Sequence, residues 1–198
     1  MIKVNIIDGF KPVGRYKKKK QIILTHTSRN LKDYISSLKY RYNGDNKKIP
    51  HFIIGREGDV YNTIPTDTYS YYMETNNNNK QSIVICLENL GWLRKNPLTH
   101  NFINWIGDIH EDEIYSRKWR GHHFWQPYTD NQMESLINVV NKLCEDYEIP
   151  KMSVGHNVKV DKIERFKGIS SNSNYDIINT DLNPAFDFDI FINKIKDE

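Results

Sequence analysis

Three short segments of this chain carry side chains of the kind that bind metals. Residues 22–28 (Ile-Ile-Leu-Thr-His-Thr-Ser) form an apolar run closed by His26. Residues 154–157 (Val-Gly-His-Asn) place His156 after a glycine. Residues 181–188 (Asp-Leu-Asn-Pro-Ala-Phe-Asp-Phe) begin with Asp181, in a proline-containing loop that leads into a last helix. Two imidazoles and one carboxylate are the ligand set of a catalytic zinc that keeps one position open. Such a zinc brings the pKa of its bound water to about 7 and polarises a carbonyl, which is the chemistry of a metal hydrolase. The separations, 130 residues and then 25, mean that only the fold can bring the three together. A histidine beside an apolar run is also a common hydrogen-bonded structural residue, so spacing alone leaves both readings open.

The elements that must position these residues are read from hydrophobic periodicity. Residues 22–25 form a short buried strand, and residues 82–87 (Ser-Ile-Val-Ile-Cys-Leu) a second. Asn30 caps a helix whose apolar face is Leu31, Tyr34, Ile35, Leu38 and Tyr42. Residues 51–54 and 60–64 flank a Gly-rich turn and predict a β-hairpin. Residues 75–80, with four consecutive Asn, read as a polar loop. Thr129 to Gln132 has the form of a capping box. It opens the clearest helix, with a stripe of Met133, Leu136, Ile137, Val140, Leu143, Cys144 and Tyr147, ended by Pro150. The last helix starts near Pro184 and buries Phe188, Phe191, Ile192 and Ile195. This alternation predicts one α/β domain over residues 1–198, a central mixed sheet flanked by helices. Residues 1–20 are its N-terminal extension or edge strand. Residues 93–127 are an irregular, aromatic-rich insertion.

Composition narrows the function. A length of 198 residues suits one well-buried domain, and a net charge of +3 is far from that of a nucleic-acid-binding polycation, so no nucleic-acid partner is expected. The run Arg15-Tyr16-Lys17-Lys18-Lys19-Lys20 reads as solvated charge. Cys86 and Cys144 read as buried thiols, and the lack of a CxxC pair excludes a Cys-rich structural zinc site. No stretch approaches the roughly 20 apolar residues of a membrane span, and the first residues lack the apolar core of a signal peptide. The expectation is a monomer, cytoplasmic in the cell that makes it, which reaches any outside target only after release or delivery. All four Trp (92, 105, 119 and 125) fall in the insertion or at its border, where aromatic faces suit sugar binding. Trp119, His122 and Trp125 are the expected substrate contacts. Glu111-Asp112-Glu113 reads as solvated loop charge.

The chain resembles the zinc-dependent N-acetylmuramoyl-L-alanine amidases, the superfamily of phage amidase-lysozymes and peptidoglycan recognition proteins, over roughly residues 20–195. The pieces come in the family order. Residues 22–28 resemble the strand with the first zinc histidine, and residues 50–61 (Pro-His-Phe-Ile-Ile-Gly-Arg-Glu-Gly-Asp-Val-Tyr) the family hairpin. Residues 82–89 resemble its central strand, residues 128–150 its long helix, and residues 154–156 the second zinc histidine. Residues 181–188 resemble the family's "DPGPAFDW". The resemblance implies Zn2+ held by His26, His156 and Asp181, and bacterial peptidoglycan as partner. It implies hydrolysis of the amide between N-acetylmuramic acid and L-alanine, in the manner of a phage-type endolysin.

The proton-handling residues depart from the family pattern. Cys86 stands where many members have Glu, Asn179 where many have Lys, and Pro50 where some phage members have Tyr. The remaining candidates for catalysis are His51, Glu88 and Tyr61, with His51 preferred because its kind titrates near neutrality. Asn179 is a further candidate for work on the substrate. The alternative function is a catalytically silent peptidoglycan-binding protein on the same fold. A His-metal nuclease, suggested by Gly121-His122-His123, fits the ordered segments less well.

Overall fold

The computed structural model describes residues 3–155 and 158–197, with only the backbone of residue 197. The first half contains β1 (Val4–Ile6), β2 (Gly14–Arg15), β3 (Gln21–His26), α1 (Leu31–Tyr40), β4 (Phe52–Ile54), β5 (Val60–Asn62), β6 (Thr68–Tyr69), α2 (Asn76–Gln81) and β7 (Ser82–Leu87). There follow β8 (Trp92–Lys95), β9 (Phe102–Ile103), β10 (Ile109–His110), β11 (Tyr115–Trp119), β12 (His122–Trp125), α3 (Asp130–Tyr147), β13 (Gly168–Ser171) and α4 (Phe188–Asp197).

The central sheet has the order β1-β5-β4-β7-β3-β13. Its one antiparallel pair is the β4–β5 hairpin, and every other neighbour is parallel. β3 and β7 are buried along their whole length, which is why both read as continuous apolar runs rather than alternating ones. Alternation still divides their side chains. Ile22, Leu24, Ile83, Ile85 and Leu87 pack with Leu136, Val140 and Leu143 of α3 and Phe191 and Ile195 of α4. Cys86 faces the other way, with Ile53 and with Tyr34 and Leu38 of α1. The sheet is thus covered on both faces, as expected.

Several local expectations need correction. α1 starts as predicted, with Asn30 Oδ1 accepting from the Asp33 N–H (2.9 Å), but Tyr42 lies beyond it in a left-handed conformation and is 78% exposed. Residues 76–81 form the short helix α2 rather than a loop, capped by the Thr75 hydroxyl. Thr129 caps α3, but its partner does not reciprocate. Gln132 donates instead to the carbonyls of Ile54 and Glu88, both at 3.0 Å, and so ties the helix to the sheet. α4 begins at Phe188, one turn after Pro184. Within the basic run, Lys19 is buried and donates to the carbonyls of Thr68 (2.5 Å), Lys80 (3.0 Å) and Ser82 (3.2 Å). Burial brings its pKa down to about 8. Lys20 donates to the Glu164 carbonyl at 2.7 Å. At least half of this lysine run therefore serves as structural donors.

The aromatic insertion is ordered. It forms a second, antiparallel sheet, β10-β9-β8-β12-β11. Its strands run from two to five residues and mix polar with apolar positions, too short for a period to show in sequence. Cys86 and Cys144 are free, buried thiols. Among the described residues no helix is long and apolar enough to cross a membrane.

Candidate active site

Parallel strands β4, β7 and β3 end level with one another, His26 opposite Leu87 and Leu87 opposite Ile54. β13 runs parallel to β3 and delivers the loop of residues 172–187 to this same carboxyl edge. That edge is where open α/β sheets bind ligands.

His26 is 6% exposed, and its Nδ1 is buried with no hydrogen-bond partner. Burial lowers its pKa, opposed by the nearby charge of Asp181, so the ring is neutral at pH 7. An orphaned nitrogen of this kind costs about 1–3 kcal/mol unless something accepts its lone pair or proton. The ring lies against Gly91 (φ +77°), where a Cβ would stand 3.1 Å from Nε2. The positive φ favours glycine there, and any side chain would crowd the ring.

Asp181 is held from several sides. The Thr25 hydroxyl donates to its Oδ2, and the Asn172 amide lies 3.2 and 3.3 Å from its two oxygens. Its carbonyl accepts from the Ser173 N–H at 2.6 Å. Two residues on, the buried Asn183 donates to Asn89 Oδ1 and the Gln126 carbonyl, both at 3.0 Å. From the tip of the β11–β12 hairpin, Arg120 reaches across. Its guanidinium donates to the carbonyls of Ser173 (3.1 Å), Asp176 (2.9 Å) and Asn179, and lies over the Trp119 ring (4.4 Å).

Beside this pair runs a chain of protic groups. Tyr34 and Tyr72 both bond to the Cys86 thiol, and the Tyr72 hydroxyl lies 3.5 Å from Thr25 Oγ1. Burial, with the proximity of Cys86, raises both phenols well above their ordinary value, and burial pushes the thiol up to about 12. All three stay protonated at neutral pH. Cys86 is then not poised as a thiolate nucleophile.

Two clefts open along the edge and share Lys48 and Tyr72. One, of about 430 Å³, is lined by Thr27, Ser28, Arg29, Arg41, Trp92 and Trp105 among others. The other, of about 380 Å³, is rich in amides, including Asn78, Asn172 and Asn179.

A protein-family model described as N-acetylmuramoyl-L-alanine amidase matches residues 15–168, well over half of the chain. The chain belongs to this amidase family. The matched segment stops short of Asp181. Solved amidase structures share its fold. One is the N-acetylmuramoyl-L-alanine amidase LysC from Clostridium intestinale URNW (TM-score 0.61, 14% identity, 99% of each chain covered). A second is AmiD from E. coli, in a complex with the substrate anhydro-N-acetylmuramic acid-L-Ala-D-gamma-Glu-L-Lys (TM-score 0.58, 15% identity, 93% of this chain and 60% of that one). A third is the hydrolase AmiA of Staphylococcus aureus in complex with its ligand (TM-score 0.56, 13% identity, 98% of this chain and 81% of that one). No curated protein sequence matches the chain.

Of the three ligands expected for this amidase, His26 and Asp181 come together. His156 lies outside the described residues. Among the described residues no group of three or more His, Cys, Asp or Glu side chains is placed to hold a metal. The chemistry of the pair, a neutral imidazole with an unsatisfied nitrogen beside a carboxylate, fits two ligands of a zinc.

The expected proton donors are not brought to this pair. His51 is 1% exposed and level with Val84, three residues back from the edge. Its Nδ1 accepts from the Val84 N–H (3.0 Å), and its Nε2 donates to the Thr68 carbonyl (3.1 Å). Burial, and after it the charge of Lys19, lowers its pKa to about 3. Neither nitrogen is free for a substrate. Glu88 accepts from the N–H groups of Leu31 (2.7 Å) and Arg56 (3.0 Å), joining the start of α1 to the hairpin turn. Asn179 does lie at the edge, its amide 3.4 Å from the Asn172 carbonyl.

The aromatic prediction is also redistributed. Trp125 is fully buried, its Nε1 donating to the Arg117 carbonyl at 2.8 Å, so it has no face to offer. Trp119 packs between Trp125 and Arg120, and His122 stacks on Trp92 with centroids 4.4 Å apart. Trp92 and Trp105 instead line the first cleft. Tyr72, Thr25 and Arg120 carry no signal of their own in the sequence. Each becomes recognisable only through partners distant in the chain.

Proposed function

We propose that this chain is a zinc-dependent N-acetylmuramoyl-L-alanine amidase of the phage-endolysin type, cutting the amide between N-acetylmuramic acid and L-alanine in peptidoglycan. The observation that carries the reading is the buried, unpartnered Nδ1 of His26 beside Asp181 at the carboxyl edge of an amidase-family sheet. His26, Asp181 and His156 would hold the zinc. When bound, it supplies Lewis acidity and an acidified water.

The chain's own residues do the rest. Thr25 and Asn172 fix the Asp181 carboxylate by hydrogen bonds to its oxygens. Tyr72 borders both clefts and keeps its proton at Oη, which suits it to donate to an oxygen that gains negative charge. Lys48 lies over the Tyr72 ring at 5.1 Å and adds positive potential there.

The test is digestion of purified sacculi with zinc supplied, followed by mass spectrometry for new L-alanine N-termini. New termini that vanish in His26→Ala support the reading. Their absence with the wild-type chain overturns it and leaves a wall-binding protein. Tyr72→Phe separates the tyrosine's role: kcat should fall on the order of 100-fold with KM little changed.

A further inference from the structure

The two clefts differ in charge. The first carries Arg29, Arg41 and Lys48, and among the described residues no Asp or Glu lines it. None of these three cations is in an ion pair among the described residues. Arg29 is held in place: its guanidinium lies 5.3 Å over the Trp105 ring, and its Nε is buried without a hydrogen-bond partner. The residue before it is fixed as well. Ser28 takes a left-handed backbone (φ 57°), and its carbonyl accepts from Trp105 Nε1 (2.9 Å) and Asn104 Nδ2 (3.2 Å). A preset cation with an unsatisfied donor, next to two further unpaired cations, is a site for an anion. The second cleft mixes signs, with Glu74, Asp176 and Lys159 among its amides, and suits an uncharged polyhydroxylated group.

The peptide side of such a substrate carries the negative charge. In L-Ala-D-γ-Glu, linkage through the γ-carboxyl leaves the α-carboxyl free unless it is amidated. That group lies two residues from the scissile amide, a reach of about 7 Å. Thr27, the residue after His26 at the end of β3, lines this cleft, and so does Tyr72, whose hydroxyl lies 3.5 Å from Thr25 Oγ1.

We propose that the cleft of Arg29, Arg41 and Lys48 is the peptide subsite and selects stems whose glutamate α-carboxyl is free over stems in which it is a carboxamide. This rests on the amidase reading, with the glycan in the amide-rich cleft. Only the α-carboxyl is varied in the test, so a terminal carboxylate or another wall anion cannot produce the result. Binding of L-Ala-D-γ-Glu-L-Lys and of its α-carboxamide counterpart to the zinc-loaded full chain is measured by calorimetry; neither contains the scissile bond. The free carboxylate should bind on the order of 5- to 10-fold more tightly, with the advantage shrinking as salt rises. Arg41→Gln/Lys48→Gln should abolish the difference. Both side chains are exposed, so folding is preserved, and an unchanged Tm checks this. Equal affinities in the wild type, or a difference retained in the double variant, overturn the proposal. Sacculus digestion with equal tripeptide affinities refutes the subsite alone. Tripeptide discrimination without sacculus digestion refutes the amidase reading and leaves a charge-reading peptide site.

Discussion

Acid should destabilise this protein through one histidine, and His51 gives the size of the effect. Its Nδ1 faces the Val84 N–H at 3.0 Å, so a proton added there meets another donor and breaks a hydrogen bond inside the sheet. The folded-state pKa is about 3, against 6.5 for a free histidine. Between these values the unfolded chain binds the proton and the folded chain does not, so stability is complete above pH 6.5 and is lost as pH falls toward 3. Each unit costs about 1.4 kcal/mol, hence about 2 kcal/mol by pH 5 and about 5 kcal/mol across the window. Such losses are large against the 5–15 kcal/mol total stability of ordinary domains. The assay is urea unfolding at a series of pH values, on the wild type and on His51→Gln. Glutamine retains one acceptor and one donor but does not titrate. The difference between the two curves isolates His51 from His26 and the carboxylates. Parallel curves from pH 7 to pH 4 would refute the reasoning, because they would mean that His51 takes up a proton equally in both states.

Three further outcomes follow from the site's construction. Arg120→Ala should weaken zinc binding about 10- to 100-fold in a chelator competition, with a near-native circular dichroism spectrum, because the loop carrying Asp181 loses three hydrogen bonds; unchanged affinity would show that the loop holds its shape unaided. Glu88→Gln should cost about 1–3 kcal/mol in thermal unfolding, since the amide keeps only one of the two acceptors used by Leu31 and Arg56. A selective loss of turnover at full stability would instead restore a catalytic role to Glu88. Gly91→Ala should lower both stability and zinc affinity, because its Cβ would press on His26 Nε2 at 3.1 Å from a backbone with positive φ. Retention of both would mean that the ring has room to move.

Much of the sheet can be read from sequence because burial on two faces writes itself as unbroken apolar runs. β3 and β7 are such runs, and α3 repeats its apolar positions over 18 residues. The second sheet lacks that signature: two-residue strands such as β9 and β10 have no period. The site shows a similar division. His26, at the end of β3, and Asp181, in the loop before α4, stand out in sequence by residue type, and the fold brings the two near one another. The partners that decide what a polar side chain does are largely backbone atoms far along the chain, and these leave no pattern. His51 looks titratable until Thr68 and Val84 occupy its nitrogens. Lys19 looks solvated until three carbonyls enclose it. Tyr72 looks ordinary until the fold sets it beside Cys86 and Thr25.

Arg120 sits at the turn of the β11–β12 hairpin and grips the backbone on which Asp181 is carried. The second sheet and the carboxyl edge of the central sheet are therefore tied together. Through these three carbonyls the position of the hairpin and the shape of the Asp181 loop depend on each other. For anyone building chimaeras, the aromatic sheet is not an exchangeable face. Replacing it with a sheet from another amidase removes the clasp along with the surface, unless the donor brings its own arginine to the same three carbonyls.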